Sequence, residues 1–190
     1  MDYQEQVQTV AEVWDWAHRP ENTDKRFELI EGELFEMSPP GGIHGRVVAT
    51  LVHLIGNFVF EKKSGIMTLG TGYYPPDAPG ILLSPDVAFI SHARAPQPFP
   101  DGYVPVLPDL VIEVVSPNDS LSQTRRKAAI YLQNGTRLVW IVQPNQGGVD
   151  VCRSVQGRTL NMEFVDRDAV LSGEQVLPGF ALKVADIFAL

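Results

Sequence analysis

Residues 109–115 read DLVIEVV, in which Asp109 is followed by a run of apolar side chains that only Glu113 interrupts. A run this apolar predicts a strand buried inside a sheet. Side chains alternate between the two faces of a strand, so Glu113 shares its face with Val111 and Val115. Burying an ionised carboxylate among such neighbours is costly unless a cation or hydrogen-bond donors compensate it. Glu113 therefore needs a partner inside the fold.

The segments on either side of this strand predict a central sheet flanked by helices. A helix over residues 121–134, closed by Gly135, precedes a short apolar strand at 138–142, an order typical of a crossover unit. Upstream, apolar residues at three- and four-residue intervals predict a helix over 47–59, for which Gly65 is a stop signal. Further strands are predicted at residues 67–73, 86–90, 149–153 and 160–165.

The N-terminal part adds a helix and a hairpin to this sheet. Thr9 followed by Glu12 predicts a capping box for a short first helix, and residues 26–37 alternate as a β-hairpin does. The expected fold is α/β (α+β): a mixed sheet flanked by helices, with an N-terminal helix and hairpin. Its 190 residues, 44% of them hydrophobic, fit one domain over positions 1–190.

Composition excludes several classes of function. The apolar runs around the central strands are too short to cross a bilayer and no signal-peptide pattern opens the chain, so we expect a cytoplasmic protein without a membrane partner. Cys152 is the single cysteine, which excludes an internal disulfide and a cysteine-based zinc cluster. The net charge of -8 argues against a protein that coats nucleic acid nonspecifically. Any binding of nucleic acid must therefore rest on local sites.

A second carboxylate, Asp86, is the natural partner for Glu113. Asp86 opens a predicted strand directly after Pro85. Two neighbouring strands can hold two carboxylates close enough to chelate one hard cation, and oxygen ligands favour Mg²⁺ or Mn²⁺ over zinc. Taken singly, either acid also fits a strand-end cap or an ion-pair partner, Asp86 more readily than Glu113. The two together favour a metal site.

These residues resemble the PD-(D/E)XK nuclease superfamily. Pro85-Asp86 is similar to its PD element, and residues 113–115 are similar to its (D/E)XK strand, with valine replacing lysine at 115. The chain is more similar still to the bacterial Uma-two family of restriction-endonuclease-like proteins, which carries the lysine on the following helix. The family's motifs follow one another in order across most of the chain: FELIEGE at 27–33, Ser38-Pro39 with His44, SPDVA at 84–88, PDLVIEVVSP at 108–117, Lys127 with Tyr131, and LPGF at 177–180.

The resemblance implies a Mg²⁺-dependent endonuclease, with Mn²⁺ as a substitute, that hydrolyses DNA phosphodiester bonds as a homodimer. Asp86, Glu113 and the carbonyl of Val114 would hold the metal, and Lys127 would hold the attacking water. His44 is an auxiliary candidate that would orient a water or contact a phosphate, although a lone histidine on a buried stripe is also typical of hydrogen-bonded structure. Arg125, Arg126 and the proline-rich residues 92–108 are candidate contacts to the DNA backbone.

Some positions in this assignment stay open. Glu33 or Glu36 would add a carboxylate to the site, and the sequence does not choose between them. Gln123 stands where the family often has an aspartate, a departure for which Asp119 is a candidate substitute. That departure leaves a nuclease-fold binding module that no longer cuts as one alternative. A metal-independent two-carboxylate hydrolase such as a glycosidase is a lower-ranked alternative.

Overall fold

The chain divides into two compact units in the computed structural model, which describes residues 7–117 and 120–189. Unit 1 comprises Met1–Pro39, Gly70–Ser84 and Pro96–Leu107, and unit 2 comprises Pro40–Leu69, Pro85–Ala95 and Pro108–Leu190. The organisation of residues 1–190 as one domain stays a prediction.

Unit 1 contains the expected N-terminal helix and hairpin. Helix α1 (Val10–Ala17) begins with the predicted capping box, in which the Thr9 hydroxyl accepts the Glu12 N–H and the Glu12 carboxylate accepts the Thr9 N–H. A short 3₁₀ turn, Pro20–Asn22, leads to strands β1 (Arg26–Ile30) and β2 (Glu33–Met37), which pair antiparallel. Both elements confirm the predictions for this part of the chain.

Unit 2 contains a six-stranded mixed sheet, a separate two-stranded pair and three helices. The elements are α2 (Gly42–Lys62), β3 (Gly65–Thr68), β4 (Val87–Ser91), β5 (Leu110–Val114), α3 (Leu121–Gln133), β6 (Leu138–Gln143), β7 (Gly148–Gln156), β8 (Thr159–Val165), β9 (Val170–Ser172), β10 (Ala181–Lys183) and α4 (Val184–Ile187). The strand order in the mixed sheet is β3-β4-β5-β6-β7-β8. Strands β5 and β6 pair in parallel across the α3 connection, and the other neighbours are antiparallel. Strands β9 and β10 form the separate antiparallel pair.

The two long helices lie on opposite faces of this sheet. The buried stripe of α2 joins one core cluster with Leu110, Ile112 and Val114 of β5. Because side chains alternate along a strand, Glu113 points to the other face, where α3 packs against β6 and β7. The predicted mixed sheet flanked by helices is therefore confirmed.

Helix α2 is long and apolar enough to cross a membrane by length and composition alone, the one such helix in residues 7–117 and 120–189. Soluble proteins have core helices that pass the same test. Five residues of α2 at helical spacing are buried in unit 2: His44, Val47, Leu51, Ile55 and Val59. This packing favours a core helix.

The end of α2 differs from the sequence prediction. The helix ends at Lys62, and Lys63 takes the left-handed capping conformation with φ 49°, so Gly65 is not its stop signal. Gly65 instead begins β3, where a Cβ atom would collide with the Ile90 carbonyl and the Phe89 ring. Glycine is needed there because the neighbouring strand approaches closely.

Candidate active site

The sheet register places the two predicted acids opposite each other, just before the start of β4. The β4–β5 register pairs Val87 with Ile112, and one further step sets Asp86 opposite Glu113. Asp86 Oδ2 accepts a hydrogen bond of 2.7 Å from the Val114 N–H. The Asp86 side chain thus takes the place of a backbone acceptor where the pairing of β4 with β5 stops.

The backbone groups of Val114 face β4, on the side where Asp86 lies. The next N–H, that of Val115, donates to Val142 on β6. Successive residues of a strand direct their backbone groups to opposite sides, so both the N–H and the carbonyl of Val114 face β4. The residue opposite Val114 in the continued register is Pro85, which has no N–H to donate to that carbonyl.

The buried carboxylate of Glu113 is compensated by two donors from α3. The Lys127 ammonium lies 2.9 Å from Glu113 Oε1, and the Lys127 side chain is only 16% exposed. The Tyr131 hydroxyl donates to the same oxygen at 3.1 Å. Lys127 and Tyr131 are one turn apart on the helix, so both reach the same carboxylate. The lysine charge that Val115 cannot supply from the strand thus comes from the helix.

His44 lies against the other acid. It sits in the first turn of α2, is buried, and places Nε2 3.0 Å from Asp86 Oδ2. Asp86 Oδ2 therefore contacts both the Val114 N–H and the His44 ring. His44 thus lies within hydrogen-bond distance of one of the two candidate acids.

The other two acidic candidates that the structure describes lie in unit 1. Glu33 and Glu36 lie on β2 in unit 1, where Glu36 pairs with Lys25 at 3.2 Å, and a role for either in the site stays a prediction. Gln123 is exposed in the first turn of α3. Asp119, the candidate substitute for the missing aspartate, lies outside the described residues.

The contacts of two further residues, Asp150 and Tyr131, were not predicted from the sequence. Asp150 on β7 is buried and accepts hydrogen bonds from Arg125 Nε at 2.9 Å and Nη2 at 2.7 Å. The other is Tyr131, whose hydroxyl reaches Glu113. The spacing of Tyr131 four residues after Lys127 is the signal that places both on one helix face, but no local signal in the sequence marks Asp150.

Cys152 is inert by its environment. Burial, and secondly the charge of Asp150, raises the pKa of its thiol to about 12. A thiol with so high a pKa is not a nucleophile at neutral pH.

The donor set suits a hard cation with few protein ligands. In residues 7–117 and 120–189, no group of three or more His, Cys, Asp or Glu is arranged to hold a metal. What the site offers is two carboxylates, Asp86 and Glu113, and the Val114 carbonyl. Mg²⁺ is commonly held by one or two carboxylates while it keeps several waters. The residues present therefore fit Mg²⁺ and do not fit a structural zinc ion.

Fold and site together define a class of protein. A mixed sheet with Pro-Asp at one strand, glutamate on the next and a lysine against that glutamate is the arrangement of the PD-(D/E)XK nucleases. The chain belongs to the Uma2 family, whose model, described as "Putative restriction endonuclease", matches residues 10–185.

A solved structure shares this fold. It is described as "a putative nuclease belonging to DUF820" from Anabaena variabilis, and it superposes with a TM-score of 0.78 at 23% sequence identity. The match covers 95% of this chain and 97% of the other. At this level of identity the similarity shows the fold. A comparison with curated proteins found no match.

Proposed function

We propose that the protein is a Mg²⁺-dependent endonuclease that hydrolyses DNA phosphodiester bonds at this site, with Mn²⁺ as a substitute. The observation that carries the proposal is the contact of 2.9 Å between Lys127 Nζ and Glu113 Oε1. It brings a lysine to the (D/E)XK strand although position 115 holds valine. Membership of a family described as a restriction endonuclease supports DNA as the substrate.

Asp86, Glu113 and the carbonyl of Val114 would hold the metal. Mg²⁺ bound there supplies a Lewis acid that lowers the pKa of a bound water and neutralises charge on the phosphate. The Val114 N–H and His44 keep the Asp86 carboxylate in place through Oδ2. The sheet and α2 thus preorganise the first of the two acids.

Lys127 would hold the attacking water. Its ammonium is a compact donor on a flexible stem, placed beside Glu113 and nearly excluded from solvent. Donors fixed in a poorly solvated site stabilise developing negative charge more strongly than donors in water. Lys127 would therefore orient the water and offset charge on the phosphate during the attack.

Contacts with DNA outside the site must come from local positive charge, because the chain as a whole carries a net charge of -8. Arg126 is exposed on α3 and is a candidate contact to the phosphate backbone. Arg125 is engaged with Asp150, so we assign it another role.

A homodimer in the cytoplasm is part of the same proposal. Cutting both strands of a duplex commonly requires two active sites. A twofold dimer of identical chains supplies them with a single interface.

The test combines calorimetry of Mg²⁺ binding with plasmid nicking in Mg²⁺ and in Mn²⁺. Asp86→Asn and Glu113→Gln should lose both metal binding and nicking. Lys127→Ala should keep metal binding and lose cleavage by about 100-fold or more, as when one preorganised donor is removed from a catalytic site. Lys62→Ala, at an exposed lysine of α2, is the matched control and should behave as wild type.

Each contrary result points to a different function. Wild-type protein that binds no divalent metal would refute the proposal. Metal binding without cleavage of any DNA would identify the nuclease-fold binding module. Hydrolysis that persists in a chelator would favour the metal-independent two-carboxylate hydrolase.

A further inference from the structure

Two cations of α3 straddle the helix. Residues two positions apart on an α-helix point about 200° apart around its axis. Arg125 and Lys127 therefore extend from opposite flanks, while Ala128 and Tyr131 between them are fully buried. The helix packs against β6 and β7 with one cation on each side of its buried line.

Each cation meets a buried acid on the sheet. The register aligns Glu113 of β5 with Ile141 of β6, and Ile141 with Asp150 of β7. The two acids thus lie in one row, two strand spacings apart, which is about 10 Å. Lys127 contacts the first acid, and Arg125 contacts the second through two nitrogens on Asp150 Oδ2.

We propose that the Arg125–Asp150 ion pair is a positioning device that holds Lys127 against Glu113. A lysine on β5 would be fixed by the sheet itself, but a lysine on a helix is only as well placed as the helix. Lys127 and Tyr131 both hold α3 at the same point on the sheet, Glu113. Two contacts on opposite flanks, about 10 Å apart, fix the rotation of the helix.

The burial of Asp150 supports this assignment over a role for Arg125 in DNA binding. Asp150 is 1% exposed, and a carboxylate so buried would be left uncompensated if Arg125 turned outward to a phosphate. Arg125 bonds Asp150 with both Nε and Nη2, a planar geometry that a lysine could not reproduce. Arg125 and Asp150 are therefore positioning residues rather than substrate contacts.

The accessibility of Lys127 tests the device directly, without metal or substrate. The folded protein is treated briefly with an acetylating N-hydroxysuccinimide ester, and the labelling rate of each lysine is measured by peptide mass spectrometry. In Asp150→Asn the Lys127 rate should rise several-fold, whereas the rates of the exposed lysines 62 and 63 should not change. An unchanged Lys127 rate in folded Asp150→Asn would overturn the proposal.

Two further variants serve as a replacement for Asp150→Asn and as a control for general loosening of the structure. Arg125→Gln removes the other half of the pair and replaces Asp150→Asn if that variant does not fold. Glu163→Gln removes an ion pair of Arg153 on β7 and β8 that does not involve α3, so it should leave Lys127 protected. A rise of equal size in Glu163→Gln would mean general loosening of unit 2 and would contradict a specific role.

The consequence for cleavage rests on the proposed function. Asp150→Asn should lower kcat by about 10- to 100-fold while KM stays within about twofold, because a misplaced group slows the chemistry more than binding. In a Lys127→Ala background the same substitution should have no further effect on kcat. Additive losses would show that Asp150 does not act through Lys127. If wild type cleaves no DNA, the proposed function fails, and the labelling result still decides the positioning role.

Discussion

At the scale of single residues, Lys127 and Tyr131 both contact the Oε1 atom of Glu113, and the proposal gives them different roles. Lys127 brings charge, and Tyr131 brings a hydrogen bond at 3.1 Å from a fully buried ring. Tyr131→Phe removes that bond and keeps the ring. We expect the free energy of unfolding to fall by about 1.5 kcal/mol and kcat by about tenfold, as for one hydrogen bond to a charged group.

Denaturant unfolding and plasmid nicking measure the two effects of Tyr131→Phe. Tyr103→Phe is the matched control, since it removes a tyrosine hydroxyl from unit 1, whereas Glu113 belongs to unit 2. If Tyr131→Phe lost stability but kept wild-type kcat, Tyr131 would be a structural partner of Glu113 only.

Another buried acid, Asp109, makes stability depend on pH. Burial alone would raise its pKa, but hydrogen bonds from the Ser91 N–H and Arg94, together with the charge of Arg94, outweigh burial and lower the pKa. A lowered pKa contributes stability that is present above the unfolded value, about 3.9, and is lost as pH falls through the folded value. The loss should therefore appear below about pH 4.

Urea unfolding at pH 7 and at pH 3 tests the role of Asp109. Asp109→Asn should lower the free energy of unfolding at pH 7 by about 1.5–3 kcal/mol, since it removes the charge that strengthens the hydrogen bonds from the Ser91 N–H and Arg94. The difference from wild type should shrink at pH 3. An equal difference at both pH values would show that the charge of Asp109 is not the cause.

At the scale of elements, the helices and strands with a clear pattern of apolar residues could be predicted from the sequence. Strand β5, helix α3 and strand β6 follow from one apolar run, one amphipathic stretch and a second apolar run. Strands β9 and β10 were not predicted, because three residues each are too few to show alternation. The start of α2 at Gly42 was also missed, since glycines at its first turn disfavour a helix locally and tertiary packing overrides them.

In the candidate site, too, some features could be predicted from the sequence and others could not. Residue types and motif spacing were enough to select Asp86, Glu113 and Lys127 as candidates, and their roles stay predictions. The partnership of Arg125 with Asp150 was out of reach, because it depends on the register of β7 against β6. Nothing in the local sequence of either residue reports that register.

Two glycines at this scale should respond in opposite directions to alanine. Gly65→Ala drives a methyl group into the Ile90 carbonyl and the Phe89 ring between β3 and β4, and should destabilise by about 2 kcal/mol or more. Gly45→Ala, inside α2 with nothing within 4 Å of the new atom, should stabilise by about 0.8 kcal/mol. Thermal and urea unfolding of both variants measure the effects. Equal effects of one sign would contradict this view of the β3–β4 edge.

At the scale of the whole molecule, the exposed apolar side chains of α2 provide a test of the proposed dimer. Phe60 is 87% exposed and Ile43 is 58% exposed, a solvent exposure unfavourable for large apolar groups. If a second copy packed on α2 about a twofold axis, the Phe60 side chains of both copies would be buried. Each buried phenylalanine would contribute about 1.5–3 kcal/mol to the free energy of dimer formation. A family likeness alone does not locate the interface of the proposed dimer, whereas the exposed Phe60 gives one specific surface to test.

Sedimentation velocity at micromolar concentration should therefore show a dimer, and Phe60→Ser should shift it to monomer. Phe164→Ser, at a phenylalanine of β8 that is 46% exposed, is the matched control and should remain dimeric. A dimer that survives Phe60→Ser would place the interface on another surface. A wild-type monomer that still cuts both strands of a plasmid would mean that one site cleaves the two strands in turn, which would remove the reason for proposing a dimer.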